Sequence, residues 1–218
     1  MHKPLKLCLI LALAALPACA KGPGGMPYEA WHLGFFAPNY MQAWIETADV
    51  GDVHGKVFLR AMSGVAGINN PVNLNGDPRG WPSRVGWGAG KNVTGAAPPR
   101  VIYVRWQSLV EPQTYYAYIP IPEATRKAML TGEWVNCGGN PEATLHYRRG
   151  VTVGLAPGGI AKVWIAGPCV LPIEVTRVQA KVVEVGPDSG RSGGVYALPL
   201  KPQSKAYIEK YGVPYGSW

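Results

Sequence analysis

Glycine and proline interrupt this chain so often that it cannot be built around long helices. They supply 28 and 21 of its 218 residues, about 22% where ordinary globular usage is about 12%. Glycine weakens a helix interior through backbone entropy, and proline through its missing N–H and ring clash. Short strands joined by turns tolerate both. Charged residues are only 16% while hydrophobic residues reach 47%, with eight Trp and eleven Tyr, a balance that excludes disorder and coiled coil. A single domain of this length buries about 70% of its unfolded surface, so its core needs no metal to hold it.

The first residues stand apart from the rest. Lys3 and Lys6 precede an uncharged apolar run at residues 7–15, which is too short to span a bilayer. A basic start, a short apolar stretch and small residues beyond it form the signature of a secretory signal peptide. Two cleavage readings compete. Leu16-Pro17-Ala18-Cys19 resembles a bacterial lipobox, which makes residues 1–18 a lipoprotein leader and Cys19 the lipid-bearing N-terminus. Ala18-Cys19-Ala20 is instead an A-x-A site that would release a soluble protein beginning at Lys21. On the lipobox reading, two or three acyl chains at about 0.8 kcal/mol per buried CH₂ hold the protein at the membrane permanently. Ala20, where inner-membrane retention has Asp, points to the periplasmic face of the outer membrane.

Cysteine usage follows from this. Cys8 leaves with the leader and Cys19 carries lipid, so Cys137 and Cys169 remain. In an oxidising compartment they are expected to form a disulfide; the alternative is two buried free thiols. Without Lys3 and Lys6 the chain keeps 19 of its 21 basic side chains against 13 acidic ones, a net charge of +6. Its basic residues are scattered, with Arg148-Arg149 the one adjacent pair, so no nucleic-acid partner is expected. Moderate positive charge suits an acidic protein partner or an anionic membrane surface.

Residues 19–27 read as a Gly/Pro tether, and residues 28–218 as one β-rich domain. Strands are expected at 29–36, 40–47, 53–62, 100–110, 114–121, 144–155, 160–166 and 173–185, from aromatic and β-branched runs bounded by turn residues. Pro122 at a first helical position and Gly132 as a stop bracket a short helix over about 122–131. A second short helix is expected near 203–211. The fold class is therefore mainly β, an antiparallel β-sandwich or partly open barrel. Residues 63–99 contain eight Gly, five Pro and five Asn and read as a long surface loop, either a binding loop or a mobile insertion.

Reaction chemistry is hard to find. Gly190-Arg191-Ser192-Gly193-Gly194 fits the G-x-S-x-G spacing of a nucleophile elbow, but an extended, Pro-limited segment follows where a helix is required. A hairpin turn is the simpler reading. His32, His54 and His146 stand at no ligand spacing to Cys, Asp or Glu, so neither a metal nor a cofactor is expected. Residues 86–92 lack the first Gly, the Ser/Thr and the following helix of a phosphate loop. The thirteen acids form no evident catalytic pair. The profile is that of a binding protein, not an enzyme.

Three segments together carry a resemblance: Met26-Pro27-Tyr28-Glu29-Ala30-Trp31 with Ala37-Pro38 behind it, Tyr103-Val104-Arg105-Trp106-Gln107-Ser108, and Gly154-Leu155-Ala156-Pro157-Gly158-Gly159 leading to Val163-Trp164. They resemble the proteobacterial lipoproteins grouped as domain of unknown function 2931, over about residues 26–168. The resemblance implies a small periplasm-facing lipoprotein with no assigned catalytic residues. Some such proteins are encoded beside type VI secretion phospholipase effectors, which implies an immunity protein that blocks a lipase-like toxin sterically. The 63–99 insert looks variable, and within it Trp81, Arg84, Trp87 and Lys91 are the expected partner-binding residues, because Trp and Arg dominate interface energetics. Pro157-Gly158-Gly159 reads as a tight turn between two strands.

Overall fold

The computed structural model describes residues 21–139 and 141–218. The expected leader and Cys19 lie outside the described residues. Twelve strands and two α-helices follow one another there: β1 (Ala30–Phe36), β2 (Ala43–Asp52), β3 (Val57–Val65), β4 (Ala89–Thr94), β5 (Pro99–Ser108), β6 (Gln113–Pro120), α1 (Glu123–Leu130), β7 (Gly132–Val135), β8 (Thr144–Tyr147), β9 (Gly150–Ala156), β10 (Ile160–Gly167), β11 (Val170–Gln179), β12 (Lys181–Val182) and α2 (Pro202–Tyr211).

These strands build two five-stranded sheets, ordered β11-β10-β9-β1-β4 and β12-β6-β5-β2-β3, with β7 and β8 forming a separate hairpin. Neither sheet closes on itself, so the molecule is a sandwich and not a closed barrel. Each sheet turns one face inward. Trp31, Leu33 and Phe35 of β1 meet Ile102, Val104 and Trp106 of β5 and Val151, Val153 and Leu155 of β9 in one core. The alternation along these strands is what a pleated strand with one core-facing side requires.

One pairing departs from the antiparallel expectation. β1 runs parallel to β9, with His32 opposite Gly150 and Phe36 opposite Gly154, while β9 is antiparallel to β10. Every residue of β9 is buried, which shows that its outer face is covered as well as its inner one.

Several boundaries differ from those expected. Residues 144–155 are two strands, because the chain leaves β8 before pairing as β9. Gly132 does not stop a helix; α1 ends at the Thr131 cap and Gly132 opens β7. A Cβ there would lie 2.7 Å from Leu145 Cδ1. Pro122 sits at the N-cap in extended conformation, one position before the helix. The folded body also begins ahead of Tyr28. Met26 is fully buried in the core, and the Gly22 N–H donates to the Met26 carbonyl over 2.8 Å, so residues 22–27 are docked and do not serve as a free spacer. The expected C-terminal helix is present as α2, and residues 157–159 form the β9–β10 turn with Gly158 and Gly159 at positive φ.

Candidate binding cleft

Residues 66–88 connect β3 of one sheet to β4 of the other and cross the outer face of the first sheet. They are ordered by their own contacts. The Gly67 N–H donates to the Phe35 carbonyl (2.9 Å), and the Ala37 N–H donates to the Gly67 carbonyl (2.8 Å). The Thr152 hydroxyl, fully buried on the outer side of β9, donates to the Gly86 carbonyl over 3.1 Å. These bonds place two indoles on a strip of glycines.

Trp81 lies on Gly154, where a Cβ would stand only 2.3 Å from its ring, and Trp87 lies on Gly150 at 3.1 Å. Trp81 also meets Trp164 and Phe36 edge-on, with centroids 5.3 and 5.6 Å apart. Trp87 meets His32 edge-on at 5.3 Å. Aromatic contacts of this geometry add about 0.5–1.5 kcal/mol each beyond area burial.

The C-terminal tail clamps the same loop. Trp218 donates its indole N–H to the Pro78 carbonyl (2.7 Å), and the Gly80 N–H donates to the Ser217 carbonyl (3.0 Å). Arg177 of β11 reaches the Trp218 carbonyl with two N–H groups. Farther along, Tyr40, fully buried and stacked on Tyr207 at 4.4 Å, donates its hydroxyl to the Pro71 carbonyl (3.0 Å) and accepts from the Gly76 N–H. A small second core of Tyr40, Met41 and Val110 with residues of α2 underlies this corner.

Between the loop and the end of β1 opens a cleft of about 610 Å³, lined by Phe36, Pro38, Ile68, Trp81 and the Asp77–Arg79 pair among others. Its floor is aromatic and its rim is charged. Asp77 holds Arg79 through a two-pronged contact at 2.8–3.2 Å, and this hydrogen bonding lowers the Asp77 pKa to about 2. The pair therefore stays ionised at ordinary pH, with an oriented, exposed guanidinium. The Trp81 indole N–H is enclosed without a hydrogen-bond partner among the described residues. A smaller cavity of about 380 Å³ lies toward the start of β1, lined by His32, Trp87, Asn92, Glu29 and Arg149 among others.

The expected partner-binding residues do not share one surface. Trp81 and Trp87 are half-buried against the sheet, and Arg84 is exposed. Lys91 belongs to β4 and stands opposite Leu33, on the face away from the indoles. Residues 89–94 thus leave the expected loop altogether and pair with β1 as an edge strand.

The remaining motifs resolve in their own ways. Cys137 and Cys169 are bridged, with Cα atoms 5.5 Å apart, which sets aside the free-thiol alternative. The Ser192 hydroxyl donates to the Pro187 carbonyl (3.2 Å) within a succession of tight turns at residues 186–194. That segment is pinned to the second sheet by Glu46, whose buried side chain accepts from Arg105, from Gln107 (2.8 Å) and from the Asp188 N–H (2.7 Å). Gln107 and Gln42 extend the attachment by accepting from the N–H groups of Ala197 and Lys201. Sequence reasoning missed this polar anchor, since three side chains on two strands give no linear motif.

No curated protein and no solved structure matches the chain. Residues 17–216 match the family described as "Protein of unknown function (DUF2931)", a span that reaches beyond the 26–168 resemblance and takes in the Glu46-anchored segment and α2, ending just before the clamp residues Ser217 and Trp218. The chain therefore belongs to the DUF2931 family.

Proposed function

We propose that this chain is a lipid-anchored protein of the periplasmic face of the outer membrane that binds a cognate secreted toxin, a phospholipase of the type VI kind, and neutralises it by occlusion. The observation that carries this reading is the cleft of about 610 Å³ with its aromatic floor and its oriented Arg79. A concavity with an aromatic base and an exposed, oriented guanidinium at its rim accepts a protruding loop of the partner, and Arg at such a rim adds specificity and association rate. Arg84 is exposed on the same loop. Trp81 and Phe36 shape the floor, and Trp87, packed on Gly150, lines the smaller cavity. Anchoring through Cys19 would hold the domain where such a toxin arrives.

The test is reconstitution with a lipase encoded beside this protein. The intact chain is expected to form a stoichiometric complex and suppress phospholipid hydrolysis, while Arg79→Glu with Arg84→Glu weakens binding at least tenfold without lowering the melting temperature. Hydrolysis that continues at saturating protein would refute neutralisation.

A second reading, an envelope protein that binds a small ligand, is favoured by one specific feature. The cleft volume of about 610 Å³ lies in the range of small-molecule sites. Ligand-dependent quenching of Trp fluorescence, abolished by Trp81→Phe, would support it.

A further inference from the structure

We propose that Cys137, Cys169 and His146 form a redox-gated soft-metal site, closed as a disulfide and open to Zn²⁺ or Cu⁺ when reduced. Three separate elements bring the donors together. His146 lies on β8, Cys137 follows β7 by two residues, and Cys169 occupies the β10–β11 turn. One ring nitrogen of His146 and both sulfurs lie within 4.8 Å of one another. Two thiolates bound at about 2.3 Å to a tetrahedral ion stand roughly 3.7 Å apart, so the donors are already near their places and the bridge need only open.

The site has a supporting shell. The Thr144 hydroxyl is 2.7 Å from His146 Nε2, a second contact of the kind that fixes the orientation of a ligating imidazole. Arg148, itself buried, ties the hairpin to the neighbouring strand by donating to the Leu171 carbonyl (2.8 Å) and to the Glu133 carboxylate. That ion pair lowers the Glu133 pKa. These contacts hold β7, β8 and β11 together independently of the sulfur bridge, so its opening leaves the three donors close. Cys169 is exposed, and its sulfur is open to attack by an external thiolate.

The chemistry balances in two steps. A dithiol reductant transfers two electrons and two protons: its own two sulfurs join, the Cys137–Cys169 bond breaks, and two thiols result. A metal ion then displaces one proton from each thiol and binds two thiolates and the neutral imidazole, with water completing the tetrahedron. The set of two sulfurs and one nitrogen matches the preference of Zn²⁺ and Cu⁺ for soft donors. Disulfide and metal are mutually exclusive, so metal affinity falls as the compartment becomes more oxidising and as protons compete for the thiolates.

The experiment uses the full chain, reduced with a phosphine under anaerobic conditions and titrated with Co²⁺ as the spectroscopic probe. Expected is one Co²⁺ per chain with thiolate-to-cobalt charge-transfer absorption, displaced by Zn²⁺, and no such absorption from the oxidised chain. Cys137→Ser with Cys169→Ser, which retains Cys8 and Cys19, gives the share of those two cysteines and should lack this band. His146→Ala should keep two titratable thiols at Cys137 and Cys169 while weakening Co²⁺ at least tenfold. A reduced chain with both thiols free and no band above that double variant would overturn the proposal, as would unchanged affinity in His146→Ala. If reduction disturbs the fold, Zn²⁺ should restore the far-ultraviolet β spectrum of the parent and not of the double variant. Failure of that restoration also overturns it.

Discussion

Gly154 shows how one missing side chain decides the outer face of a sheet. Any Cβ at this position would enter the Trp81 ring at 2.3 Å, and overpacking a seated contact costs about 1–3 kcal/mol. Gly154→Val is therefore expected to lower the urea midpoint accordingly and to shift Trp emission to the red as Trp81 is displaced; unchanged emission would mean the indole is not seated there. Glu46 is the other decisive residue. Its carboxylate is 5% exposed and accepts from three donors, so Glu46→Ala leaves the Arg105 guanidinium, itself 20% exposed, without its counter-charge and loosens the 186–194 turns at Asp188, while Gln107 and Gln42 still hold Ala197 and Lys201. Breaking such a pair costs about 3 kcal/mol, measurable by thermal unfolding, with faster amide exchange confined to those turns. The identity of these residues was on the page of the sequence, but their direction was not. Trp81 and Trp87 were legible as signs that the loop is more than a mobile insertion. That they face inward depends on a glycine strip on a strand some seventy residues away, which no local periodicity encodes.

At the level of elements, alternation was a reliable guide where one face of a strand is buried and the other is not. Ile102, Val104 and Trp106 against Val101, Tyr103 and Arg105 announce β5 without ambiguity, and α2 follows from Pro202 and a run of helix formers. β4 was lost because Ala89-Gly90-Lys91 carries no strand signature; it is a strand because β1 offers it an edge and because Gly90 and Gly34 clear room for Trp87 and His32. The parallel β1–β9 pair was invisible for a similar reason, since register between segments about 120 residues apart is set by the assembled core. The C-terminal tail acts as a clasp on the loop over residues 66–88. Truncation after Val213 removes the Pro78 and Gly80 contacts of Trp218 and Ser217 without touching the main core. Proteolysis within residues 76–84 should become markedly faster while the β spectrum stays the same; equal cleavage rates would show that the loop holds itself.

For the molecule as a whole, two linkages set the conditions in which it stands. The Cys137–Cys169 bridge closes a loop of 32 residues' separation and contributes about 3–4 kcal/mol in the chain-entropy model, so the reduced protein should melt several degrees lower. Phenol groups supply the second. Burial raises the pKa of Tyr28 and Tyr115 far above the ordinary value, and burial with the Glu111 hydrogen bond raises Tyr215 to about 12. The folded state thus holds these protons more tightly than the unfolded chain does. Their stabilising contribution is complete below about pH 10 and is lost as pH rises through 12, so stability should fall steeply in alkali, together with late phenolate absorbance. Phenolate appearing entirely near pH 10 in the folded protein would contradict that burial.

The direct test of the binding function is capture from a lysate of the native host by the tagged chain under non-reducing conditions, with the captured protein identified by mass and assayed on phospholipid. One stoichiometric lipase, silent in the complex, active when released and lost with Arg79→Glu, is the predicted result. Recovery of envelope components alone, or a lipase that remains active while bound, would contradict neutralisation through the cleft.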